Sequence, residues 1–137
     1  MRVYATPADL QDWIGQDKPL PANAAGLLRS ASLLVEAATI TAVYDTDADG
    51  KPTASAVADA FRDATTAQAA MWSAAGIDPA GGGVASSAPV SSKKLGSGAI
   101  SYDTSVNASV TAFEARRAAT TTLCMEAWLI LQQVGLV

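Results

Sequence analysis

Three carboxylates at alternate positions, Asp45, Asp47 and Asp49, followed by Gly50, form the one cluster in this 137-residue chain whose spacing suits a ligand. The pattern matches the opening of an EF-hand calcium loop, in which alternate acidic side chains converge on a hard cation. The loop's twelfth position, where a bidentate Glu should close the shell, is Ala56. Lys51 adds an adverse charge, and Pro52 removes a backbone donor. Asp45, Asp47 and Asp49 are therefore weak candidates for a cation site. An acidic turn before a helix N-terminus, where negative charge is favourable, accounts for the same residues without a metal, and the expectation is no bound metal and no cofactor.

Other constellations carry less. The chain has no histidine, so Ser-His-Asp and Cys-His triads and HExxH zinc sites are excluded. Cys124 is the single cysteine; it cannot form an internal disulfide and reads as a small core group. Ser91-Ser92-Lys93-Lys94 matches Ser-x-x-Lys formally, but that chemistry needs the serine at a helix start and the lysine desolvated one turn on. Here both lie in a Gly/Ser-rich stretch, so Lys93 and Lys94, with Leu95, read as a spot that touches a partner or a passing phosphate, or as solvated surface. Gly96-Ser97-Gly98 lacks the third glycine of a dinucleotide fingerprint. Arg116-Arg117 suits an interface anchor or an ordinary helix end. Trp13, Trp72 and Trp128 read as core or subunit-contact residues, since a base-stacking platform needs basic neighbours and these have few. No enzyme activity is expected.

The elements that position these residues are mostly helical. Half of the residues are apolar, many of them alanine, so helices can pack closely but the core has few large groups. The net charge of −4 argues against a protein that grips nucleic acid. No apolar run reaches the length of a membrane span, and MRVYATPADL lacks the apolar region of a secretory signal. Thr6-Pro7-Ala8-Asp9 predicts a capped helix over about 7–15, with Leu10, Trp13 and Ile14 on one face. Leu27, Ala31, Leu34, Val35 and Ala38 predict a second over about 23–40. Residues 39–44 (TITAVY) are either a frayed last turn or an extended piece. After the acidic turn, Thr53 or Ser55 can cap a third helix whose inner face is Val57, Phe61, Ala64, Gln68, Met71 and Ala75, with Ala60 and Ala67 beside it. Asp59 and Arg62 can pair on its solvent side, and Gly76 suits its C-terminus.

Residues 77–105 then lose helical periodicity. They read as an arm, with possible short strands over 88–95 and 99–102 joined at Gly96-Ser97-Gly98, or as a linker. Val110, Phe113 and Arg117 begin another helical segment, weakened at Thr120-Thr121-Thr122. A C-terminal helix at about 122–134 follows, with Leu123, Ala127, Ile130, Leu131 and Val134 on one face and Cys124, Met125, Trp128 and Leu129 on the others. A helix apolar nearly all round must be covered on more than one side, which in a chain this small implies a neighbouring subunit. The expected fold is mainly α: one domain over 1–137, a small bundle of about four helices, with a projecting arm or small β-hairpin between the third and last.

The segment YDTDADGKPT followed by AVADAFRDATTAQAAMW resembles the head-to-tail adaptor (connector) proteins of long-tailed bacteriophages. YATPADLQDWIG, LLRSASLLVEAAT, SSKKLGSGAISYD and LILQQVGLV fall in the order such adaptors place similar stretches, whereas residues 104–122 depart from it. The resemblance implies a helical bundle with a long arm, assembled as a homo-oligomeric ring in the virion. That ring would lie under the portal protein, extend the channel for double-stranded DNA without sequence-specific binding, and present a docking surface to a stopper, neck or tail protein. It implies no cofactor, catalysis or membrane. In such a ring an acidic lumen would let DNA slide. The surfaces expected to serve assembly are Trp128, Leu129 and Leu131 on the last helix, Arg116 and Arg117, and Lys93, Lys94 and Leu95 on the arm. Alternatives are another head-completion protein or tail terminator, which would be β-rich, and a helical binding domain with a weak cation site.

Overall fold

The computed structural model describes residues 1–82 and 110–137. Helix α1 (Pro7–Ile14) starts as its sequence dictates. The Thr6 hydroxyl accepts the Asp9 backbone N–H at 3.2 Å, and the Asp9 carboxylate accepts the Thr6 N–H at 2.7 Å. Pro7 fills the first helical position, where a missing N–H costs nothing. Gly15 ends the helix. Leu10 is fully buried and Ile14 partly so, but Trp13 is exposed, so the expected three-residue face is narrower than its spacing suggested.

Helix α2 (Ala24–Ala38) turns Leu27, Leu28, Ala31, Ser32 and Val35 inward. The buried Ser32 hydroxyl donates to the Leu28 carbonyl at 2.8 Å and accepts the Tyr4 N–H at 3.2 Å, which ties the N-terminal segment to the helix. Beyond the helix, the Thr39 hydroxyl folds back to donate to the Val35 carbonyl at 2.8 Å. Residues 39–44 form a turn and an irregular piece.

Helix α3 (Ser55–Ala75) is the centre of the molecule. Phe61, Ala64 and Gln68 face inward as expected, whereas Val57 and Met71 are half-buried and Ala75 is exposed. Burial is wider than one stripe: Thr65, Thr66, Ala69 and Trp72 are also covered. The reason is that α1, α2 and the last helix pack on different sides of α3, and its alanines and threonines let them approach closely. Neither Thr53 nor Ser55 caps it; Ala54 is the cap residue, without a side-chain bond, and the Thr53 hydroxyl instead donates to the Asp45 carbonyl. Gly76 ends the helix in the left-handed conformation, with φ 68°.

Ile77 is buried beside Trp72, and Asp78 caps a short 3-10 turn, Pro79–Gly81. Ile77 thus belongs to the core, the stretch after it is mostly exposed, and the greater part of the expected arm, from 83 on, lies outside the described residues. The candidate strands at 88–95 and 99–102 lie outside the described residues. Residues 110–118 are helical (α4), and α5 (Met125–Gln133) closes the fold. It starts later than the expected 122, because the Thr120, Thr121 and Thr122 hydroxyls donate back to the carbonyls of Arg117, Ala118 and Ala118 and the chain turns there.

Two adjoining apolar clusters form the core. One joins Leu10, Leu27, Leu28, Ala69, Trp72 and Ile77; the other joins Val35, Phe61, Ala64, Ala127, Leu131 and Leu136. Tyr4 and Tyr44 meet the Phe61 ring edge-on, at centroid distances of 4.7 and 5.3 Å. The Trp72 indole N–H donates to the Ala119 carbonyl at 2.9 Å, which fixes the end of α4 to the C-terminal part of α3. The described residues are mainly helical; the one β-type pairing among them is the isolated bridge between Thr46 and Pro52.

Candidate interaction surface

The acidic turn closes on itself. The Asp47 N–H donates to the Lys51 carbonyl at 2.9 Å, and the Thr53 N–H donates to the Asp45 carbonyl at 3.0 Å. Asp47 Oδ1 accepts the N–H groups of Asp49 and Lys51, each at 2.9 Å. The middle carboxylate is therefore committed to the loop's own amides, the usual behaviour of aspartate in a tight turn. Among the described residues, no three acidic or cysteine side chains gather as a metal group. Gly50 adopts φ 79°, and the Arg2 side chain lies against it.

Arg2 belongs to a small polar triad. Its Nε donates to Glu36 Oε1 at 2.6 Å, and the Tyr4 hydroxyl donates to the same oxygen at 2.6 Å. Partial burial opposes the Glu36 charge, but the two donors outweigh it and hold the carboxyl below the usual carboxylate range. Burial, then the bond to Glu36, pushes the Tyr4 hydroxyl above the ordinary tyrosine value.

Beside this triad runs an open groove of about 690 Å³, with Leu33, Ile40, Val43 and Tyr44 among its lining and the acidic turn, through Thr46 and Gly50, as one wall. Ile40 is 82% exposed and Val43 fully exposed. The volume falls in the range of small-molecule sites, but such sites enclose the ligand and converge polar groups on it. This one is shallow, and its charged pair, Arg2 and Glu36, is already mutually engaged. It suits the side of a helix or strand better than a small molecule. The apolar stripe of α2 gave no hint of it: the groove comes from the β-branched run TITAVY, which forms no strand and turns its aliphatic groups outward.

A second apolar surface lies on α5. Ala127 and Leu131 face the core, and Leu131 is fully buried there. This corrects the expectation that Leu131 meets another subunit; its position four residues after Ala127 aligns it with the internal face. Trp128 (39% exposed), Leu129 and Met125 point outward instead. The last helix is thus covered on one side and open on the other.

Arg116 and Arg117 are exposed on α4, with the Arg117 guanidinium 6.0 Å from the centroid of the Phe113 ring. On α3, Arg62 meets Asp59 at 3.2 Å as expected, and also Asp63 at 2.9 Å. Trp13 borders a small cleft with Asp9, Asp12, Arg62 and Asp63. Lys93, Lys94 and Leu95 lie outside the described residues. Among the described residues, no helix is long and apolar enough to cross a membrane. No protein-family model, curated protein or solved structure matches the chain.

Proposed function

We propose that this chain is a structural head-to-tail adaptor of a bacteriophage neck. Copies of it form a ring under the portal, prolong the DNA channel and offer a docking surface to the next neck or tail protein. The observation that carries this reading is the outward face of α5: Met125, Trp128 and Leu129 are exposed on a helix whose other side is already closed into the core through Ala127 and Leu131. An apolar face with that arrangement serves a neighbour rather than the chain's own fold. The mainly helical body favours an adaptor over a stopper or tail terminator, for which a β-rich fold is expected. The commitment of Asp47 to its own turn speaks against a calcium-responsive binding domain.

In this reading the protein performs no chemistry. Its work is to hold geometry: a ring of copies with a net negative charge lets double-stranded DNA pass without adhering. Electron microscopy of the portal ring of the same virus, mixed with this protein, tests the proposal. Added annular density on the portal, lost with Trp128→Ala, supports it; an unchanged portal overturns it.

A further inference from the structure

We propose that the groove over Leu33, Ile40 and Val43 receives helix α4 of a second copy of this chain, in a head-to-tail contact. The inference rests on the ring reading and names the surfaces that would build it.

The two features are tied to different parts of α3. The acidic turn that walls the groove leads directly into the start of α3, and Tyr44 packs on Phe61 in the second turn of that helix. Helix α4 ends against the other end: Ala119, immediately after it, is bonded to Trp72, three residues from the end of α3. Phe61 and Trp72, the two points of attachment on α3, lie about 16 Å apart along the helix. The groove's lining includes no residue of the chain's own α4, so the occupant is the α4 of a neighbour.

Their chemistry is complementary. The groove has an aliphatic floor, the mutually paired Arg2 and Glu36 at one side, and Thr46 and Gly50 of the acidic turn at its edge, where the neighbouring Asp45 and Asp49 are exposed. Among the described residues, the Asp45 and Asp49 carboxylates have no hydrogen-bond or ion-pair partner. Helix α4 presents the exposed Val110 and the half-buried Phe113, then the adjacent Arg116 and Arg117 against the single Glu114. Neither arginine has a carboxylate partner among the described residues. An amphipathic helix laid into an apolar groove is a recurrent recognition mode, and opposite charges at the rim set its direction. Because the two surfaces differ, the contact is heterologous. It repeats from copy to copy and closes into a ring when the rotation permits.

Two exposed double variants test this: Asp45→Lys with Asp49→Lys, and Arg116→Glu with Arg117→Glu. Sedimentation of the full chain at high protein concentration and low salt is the readout. The wild type is expected to self-associate and to lose association as salt screens the rim. Each variant alone should associate more than about tenfold more weakly, because like charges then face each other. An equimolar mixture should regain association, since each reversed groove then meets a reversed helix; this recovery excludes misfolding as the cause of the loss. A monomeric wild type, indifference to either variant, or a mixture that stays monomeric overturns the contact. If either variant alone associates, and binds the portal in many copies, as the wild type does, the contact fails and the adaptor reading stands. If the mixture recovers association but the wild type ignores the portal, the contact stands and the adaptor reading fails.

Discussion

Gln68 Oε1 accepts the backbone N–H of Cys124 at 2.6 Å, across 56 residues of chain. Cys124 is the cap residue of α5 and supplies no side-chain cap of its own, so a fully buried amide on the central helix fixes where the last helix begins. Replacing Gln68 with Leu should destabilise the fold by about 1 kcal/mol, because the loss of that N–H's partner outweighs the removal of the buried Gln68 Nε2, which has no partner among the described residues. Denaturant unfolding checks this; a variant as stable as the wild type would show that the bond contributes nothing.

Two glycines should respond with opposite signs. At Gly50, with φ 79°, an added Cβ would be strained and would press on Arg2, so Gly50→Ala should cost about 1–3 kcal/mol. Gly26 lies within α2 with open space around it, and Gly26→Ala should stabilise by about 0.5–1 kcal/mol. Paired thermal melts read both; equal shifts in the same direction would contradict the backbone assignment.

Much of this architecture was legible in the sequence. The box formed by Thr6 and Asp9 and the stop at Gly76 depend on local chemistry and are found where the residues place them, and Leu27, Ala31 and Val35 of the α2 stripe are buried, whereas Leu34 and Ala38 are half-buried and Leu28 and Ser32 take up the inner face beside them. What was not legible depends on which neighbour arrives. Leu131 and Trp128 stand three apart on a helix apolar on almost every side, and periodicity alone does not say which meets α3. Ile40 and Val43 lay in a run with no period, so their shared groove follows only from the turn at Thr39. The start of α5 escaped because it is set by Gln68, a distant residue, and by threonines that bond back into the preceding turn.

The triad of Arg2, Tyr4 and Glu36 predicts a pH dependence with two limbs. A carboxyl lowered in the folded state contributes stability above its unfolded pKa of about 4.3, and this is lost as pH falls through the folded value. A tyrosine raised in the folded state contributes below its unfolded pKa of about 10, and this is lost as pH rises toward the folded value. Glu36→Gln should flatten the acid limb, and Tyr4→Phe the alkaline one. Stability measured against pH for the three proteins checks this; superimposable curves would rule out a linked triad.

Leu131 and Trp128 separate folding from assembly. Leu131→Ala should cost about 2–5 kcal/mol, the range for a fully buried leucine. Trp128→Ala, at a partly exposed site, should cost about 1 kcal/mol while impairing association with partners. Melting and sedimentation of both variants read the two effects; a Trp128 variant that is badly destabilised would place that ring in the core.

Co-sedimentation with the portal protein of the same virus, beside a run of the chain alone, tests the proposal that this chain is a ring subunit seated on a portal. Many copies are expected to travel with each portal ring, and Trp128→Ala is expected to remove them while the variant stays folded. A chain that remains a monomer and leaves the portal's sedimentation unchanged would contradict it.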